Sequence, residues 1–200
     1  MRVDREKGIG RKVEGKRLTR DDALDSIEAN VENRSLIYHM LATEAVMRAM
    51  ARHFGEDEET WGLTGLLHDI DVELTEGDMH AHSELGADIA RELGASEDMA
   101  QAILCHNAAH GLSPKTMLGR ALFCADPLTG LIVAAALVRP DKQLEGLTTK
   151  SLMRRFGEKR FAAGANREQI AMCREIDLEL EEFIDMGLEA MKAIAGEIGL

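Results

Sequence analysis

Aromatic side chains are scarce in this 200-residue chain: they make up 4% of it, with one tryptophan and one tyrosine. The core must therefore come from Leu, Ile, Ala and the 11 methionines, residue types that favour helix. Proline is equally sparse, at three, so few helices are interrupted. The three cysteines, Cys105, Cys124 and Cys173, are odd in number and lack Cys-x-x-Cys spacing. That speaks against a disulfide framework and for free thiols in a reducing compartment. The first residues contain no apolar stretch of secretory type. The longest apolar run, residues 128–138, is too short to cross a bilayer. A cytoplasmic protein with no membrane partner is the expectation. Positive charge is also in deficit, with a net charge of −12. A body that acidic offers no broad cationic track for long nucleic acid.

The charge is unevenly spread. Residues 1–20 carry a net +5 and the remainder −17. Residues 1–18 are basic, punctuated by glycine and poor in apolar residues, which reads as a solvated arm. The length fits one domain with an appendage. Thr19 with Asp22 three residues on has the shape of a capping box, so a first helix begins after Thr19. Asn33 caps a long helix through Phe54, closed by Gly55. A third helix runs over residues 58–69, and an acidic turn follows over residues 71–78. His82 starts a helix stopped by Gly94, and Ser96 caps the next, which delivers His106. Ser113 and Pro114 read as N-cap and first helical position of a helix that ends at Asp126-Pro127. Residues 128–138 form a separate buried helix. Composition shifts near residue 140. A basic stretch over residues 150–160 and a turn at residues 162–166 then lead to a last helix over residues 178–198, capped by Asp177. No strand alternation is present. The reading is all-α: a helical bundle over residues 19–140 with a C-terminal helical extension, residues 141–200, on the same core.

The most informative feature is the adjacent pair His68-Asp69 at the end of the apolar run WGLTGLLHD. A carboxylate at a helix C-terminus is electrostatically disfavoured unless a cation compensates, and a metal ion would be that cation. Imidazole and carboxylate are common ligands for catalytic divalent metals. His39, His82, His106 and Asp126 flank the pair. Each alone has a structural reading, as a packed helix histidine, a helix-start or helix-end residue, or a turn residue.

The ordered set resembles the HD-domain superfamily of metal-dependent hydrolases. The resemblance spans residues 36–138: a helix histidine, His39 in YHMLATEAVMRAMA; an apolar helix ending in the pair, GLLHDI; and a distal Asp126 in ALFCADP. His82 in HSELGA and His106 in AILCHN are similar to two further ligands of the members that hold two metals. The resemblance implies one or two divalent ions, of Fe, Mn, Zn, Mg, Co or Ni. It implies that Asp69 bridges them, that His39, His68 and Asp126 complete one shell, and that His82 and His106 serve the other. His68 and Asp69 would then be at the heart of catalysis. The spacing after the pair is similar to HD-type dinucleoside polyphosphate hydrolases. Where many such hydrolases follow the pair with Gly and a basic residue, this chain has Ile70-Asp71-Val72-Glu73. Asp71 or Glu73 is thus either a general base or a surface acid. The Gly-Tyr-Pro signature of the cyclic-dinucleotide phosphodiesterase branch is absent.

Two divalent ions about 3.5–4 Å apart can activate water and clamp a phosphoryl oxygen. The expected function is hydrolysis of a phosphoester or phosphoanhydride in a nucleotide or similar small molecule. Arg139 and Lys142 are the first candidates to neutralise phosphate charge. Lys159, Arg160 and Arg167 are the second set, and His110 is a candidate for the pocket mouth. Two other readings use the same ligand order: a di-iron oxygenase, and a non-catalytic metal-stabilised binding or regulatory module. The continuous apolar helix leaves room for a homodimer face.

Overall fold

The computed structural model describes residues 17–200. It contains nine α-helices, two short 3₁₀ turns and, among the described residues, no strand. The basic-arm reading of residues 1–18 falls outside the described part except for Arg17 and Leu18, and Leu18 is already buried in the core.

Local chemistry starts the early helices. Helix α1 (Arg20–Asn30) begins on a full capping box between Thr19 and Asp22. Helix α2 (Arg34–Phe54) takes Asn33 as its cap and ends at Gly55, whose φ of 72° is the left-handed conformation glycine adopts without penalty. Helix α3 (Glu58–Leu67) starts on Asp57. It lies closely along α2, because Gly65 stands against the Thr43 carbonyl. A Cβ there would come within 2.9 Å of that oxygen. This glycine brings the backbones carrying His39 and His68 together.

After the pair the chain turns rather than coils, and Ser83 precedes α4 (Glu84–Glu92) in a left-handed conformation. His82 therefore lies before the helix, not at its first position. Helix α5 (Glu97–His106) is capped by Ser96.

Two expected boundaries are overturned. Ser113-Pro114 does not start a helix; Thr116 caps it, and α6 runs unbroken from Met117 to Leu137 with Pro127 inside. A proline there forfeits one backbone hydrogen bond, but fourteen residues of α6 are buried and packing outweighs the local cost. At 21 residues α6 is long and apolar enough to span a bilayer by length and composition, yet it is the central helix here, packed by α2, α5 and a short helix, α8 (Arg167–Ala171).

The extension supplies α7 (Thr149–Gly157), the short α8 (Arg167–Ala171) and α9 (Leu180–Ala193), which pack on α6, with α9 also along α2. The last helix is shorter than expected and starts after Glu179; Asp177 is left-handed at φ 58° and ends a 3₁₀ turn instead.

Candidate metal centre

The ends of α3 and α5, the interiors of α2 and α6, and the turn before α4 converge on Asp69. The residue lies just past the C-cap of α3 and directs its two carboxylate oxygens to different partners. Its Oδ2 lies 3.5 Å from His39 Nε2 and 3.3 Å from His68 Nε2. Its Oδ1 lies 3.5 Å from His82 Nε2 and 3.2 Å from His106 Nε2. Asp126, from mid-α6, closes the first group, with Oδ1 3.1 Å from His39 Nε2 and 3.9 Å from His68 Nε2. The two imidazole nitrogens of His39 and His68 are themselves 3.2 Å apart.

The hydrogen bonds behind the rings fix which nitrogen faces inward. His68 Nδ1–H donates to the Gly65 carbonyl at 2.8 Å, and His106 Nδ1–H to the Ile103 carbonyl at 2.6 Å. Thr129 donates its hydroxyl to the Asp126 carbonyl, so its oxygen accepts from His39 Nδ1–H at 2.9 Å. His82 Nδ1–H donates to Asp71 Oδ1 at 2.8 Å. In all four rings the proton is held on Nδ1, and the Nε2 lone pair points at the carboxylates. Metal-binding histidines are oriented in this way by partners behind them.

Four lone pairs and two carboxylates facing one another repel unless positive charge sits among them. Metal–ligand bonds of about 2.0–2.2 Å put neighbouring ligand atoms roughly 3–3.5 Å apart, and most of the spacings above fall in that interval. His39, His68 and Asp69 form one group whose ligand atoms lie within 4.8 Å of one another, Asp69, His82 and His106 form another, and His68, His106 and Asp126 form a third between them. The donor set fits one or two divalent ions. Without metal, protons take their place. Burial alone would lower the His106 pKa, but the hydrogen bond and charge of Asp69 lift it to about 9. His39 is raised likewise, against burial, by Asp126 and Asp69. Burial would raise Asp69, yet His68 and His106 hold it well below the usual carboxylate range, and His39 lowers Asp126.

Asp71 is neither a general base nor a surface acid. It is fully buried, and besides His82 it accepts the backbone N–H groups of Ser83 at 2.7 Å and Gly86 at 2.8 Å. It anchors the turn that presents His82. Glu73 is spent elsewhere, accepting the N–H groups of Glu32 and Asn33 ahead of α2. His110 does not line the cavity over the centre. Its Nε2–H donates to the His82 carbonyl, and Asn107 donates to the same oxygen and to the Met79 carbonyl. Thr129, Asn107 and Asp71 are thus positioning residues that the sequence did not single out for this role. The signals present were Thr129 three residues after Asp126 on one helix face and Asn107 adjoining His106.

Arg139 and Lys142 are not brought to the centre. With α6 unbroken, Arg139 stands 13 residues past Asp126, about 20 Å along the axis. It pairs there with Asp141 and the Gly146 carbonyl. Arg167 is committed to main-chain carbonyls around residues 155–165, and neither Lys159 nor Arg160 lines the cavity.

The centre forms the floor of a cavity of about 440 Å³. Asp69, His82, His106 and Asp126 meet Val72, Met79, Ala108 and Ala109 there, with Gln169 reaching in from α8.

A family model described as HD domain matches residues 36–137. Among curated proteins, the chain is 31% identical over 98 residues to Ribonuclease Y of Oleidesulfovibrio alaskensis, covering 49% of this chain and 18% of that protein. It is 29% identical over 152 residues to Ribonuclease Y of Salinispora arenicola, covering 73% of this chain and 25% of that protein. The chain thus spans about a quarter or less of the length of these relatives. No solved structure matches it.

Proposed function

Because the chain belongs to the HD domain family of metal-dependent phosphohydrolases, we propose that it hydrolyses a phosphoester or phosphoanhydride of a nucleotide or similar small molecule. The observation that carries the reading is the inward-facing set of four Nε2 lone pairs around the two oxygens of Asp69. Divalent ions held there would supply Lewis acidity toward a phosphoryl oxygen and lower the pKa of water, so that hydrolysis runs near neutral pH.

The chain's own residues do the rest. Asp69 divides its oxygens between the two histidine groups and fixes their separation. Asp71, Thr129 and the Gly65 and Ile103 carbonyls keep every imidazole in the ligand tautomer. Among the described residues Asp69 and Asp126 are the only carboxylates lining the cavity, so these residues offer no separate general base there.

The relatives' name concerns RNA, but two features favour a small ligand. Among the described residues no Lys or Arg lines the cavity, and the chain as a whole carries −12. A long nucleic acid gains most of its affinity from such cations. The free, buried cysteines suit the reducing cytoplasm.

The test is phosphate release from a panel of phosphoesters and phosphoanhydrides by protein loaded in turn with Mn, Fe, Co or Mg. Turnover abolished by chelator and restored by metal is expected. Fully metallated protein that leaves every compound intact contradicts the reading, and oxygen uptake without phosphate release would point to di-iron oxygenase chemistry.

A further inference from the structure

The polar side chains lining the cavity over the metal centre are nearly all committed. Four are candidate ligands. Thr75 donates to the Asp71 and Val72 carbonyls. Asn107 gives its N–H groups to Met79 and His82 and its oxygen to the Ala109 N–H. The exception is Gln169, half-buried in the cavity wall, whose side-chain amide has no hydrogen-bond partner among the described residues.

Its mount is well built. The five-residue helix α8 starts on Asn166, which accepts the N–H groups of Glu168 and Gln169. The next residue, Arg167, gathers the carbonyls of Phe161, Ala162 and Ala165 on its guanidinium. Ile170 is fully buried against the core. The backbone that carries Gln169 is therefore fixed at the cavity wall, about a hundred residues in sequence from the His-Asp pair.

The charge of the wall limits what this amide can meet. Among the described residues no cationic side chain lines the cavity, so of these the metal centre alone can compensate an anion there. One phosphoryl group fits that arrangement. Each further phosphoryl group would face Asp126, apolar Val72 and Met79, or a neutral amide, with no partner for its charge.

Resting on the phosphohydrolase reading above, we propose that Gln169 is a substrate-contacting residue. It hydrogen-bonds the uncharged organic part of a compound with a single phosphoryl group, and the cavity discriminates against nucleoside polyphosphates. The C-terminal extension is on this view part of the site.

The probes are the four ribonucleoside 5′-monophosphates and the matching triphosphates, with binding followed by titration calorimetry on metal-loaded protein and turnover followed separately. Metal content and melting temperature are recorded for every variant. At least one monophosphate should bind tenfold or more tightly than its triphosphate. Gln169→Ala should weaken that monophosphate by about three- to tenfold, the worth of one hydrogen bond, with metal content unchanged. Gln169→Lys, which adds the missing cation, should shift preference toward the triphosphate, an effect a merely structural role would not produce. Triphosphates bound more tightly by wild type, or Ala and Lys variants with wild-type affinities for both classes, would overturn the assignment while phosphohydrolysis elsewhere in a wider panel still stood. Metallated protein that neither binds nor cleaves any phosphorylated compound would remove both.

Discussion

Replacing Asp71 with Asn separates the role of this buried carboxylate from its bulk. The two oxygens accept three N–H groups, from His82, Ser83 and Gly86. An asparagine has one oxygen to offer. If that oxygen stays with Ser83 and Gly86, the amide NH₂ faces His82 Nδ1. The imidazole must then carry its proton on Nε2, where an N–H instead of a lone pair points at Asp69. If the oxygen turns to His82, two buried backbone donors lose their partner at about 1–3 kcal/mol each. The first arrangement costs less, so the damage falls on the tautomer. Metal affinity at the His82, His106 and Asp69 group should drop by about 10- to 100-fold, the usual consequence of losing a partner behind a ligand. The fold should survive with a loss of roughly 1–3 kcal/mol. Metal titration by calorimetry reads the affinity, and nitrogen chemical shifts of the His82 ring read the tautomer. Wild-type affinity in Asp71→Asn, or an unchanged ring tautomer, would refute the positioning role. Glu73→Gln serves as control and should leave metal affinity alone.

Three further outcomes follow from the geometry. Gly65→Ala puts a methyl 2.9 Å from the Thr43 carbonyl, a backbone atom that cannot yield easily. It should cost about 1–3 kcal/mol in denaturant unfolding and weaken metal binding at His39 and His68, whereas an unaltered melt would show that the two helices do not need this approach. Thr129→Val removes the acceptor behind His39 and should lower metal affinity about tenfold, read by competition with a chromophoric chelator; unchanged affinity would free His39 of that dependence. Metal-free protein should lose stability as pH rises from about 6.5 to about 9. The raised His106 pKa means its proton stabilises the fold below that window and is gone above it. The lowered Asp69 and Asp126 contribute above the ordinary carboxylate pKa and are lost only in acid. Metal binding releases those protons, so the gain in melting temperature on adding metal should grow with pH, and a gain that is flat across this window would contradict the proton-for-metal exchange.

The helix starts that rest on one side chain were legible: Thr19, Asn33 and Ser96 each cap as their sequence context implies. The reading failed where tertiary burial overrode a local signal. Pro127 looked like a break, and the assumed break would have let Arg139 fold back toward Asp126. The continuous α6 carries it to the far end instead. The metal-facing residue types were legible because His and Asp are adjacent at the end of an apolar helix. What stands behind them was not. Asp71 lies in a run of acids that reads as a solvated turn, and only the left-handed Ser83 turns the backbone so that three N–H groups reach it. Gln169 has no local signature at all, since its position depends on α8 packing on α6.

The most direct measurement is the number of metal ions per chain, by elemental analysis, in wild type, His82→Ala and Asp69→Ala after saturation and desalting. Two ions in wild type, one in His82→Ala and none in Asp69→Ala are expected, because the two oxygens of Asp69 reach the histidines of both groups. A wild-type chain without bound metal, or three proteins with the same content, would mean that these side chains meet for some reason other than holding cations.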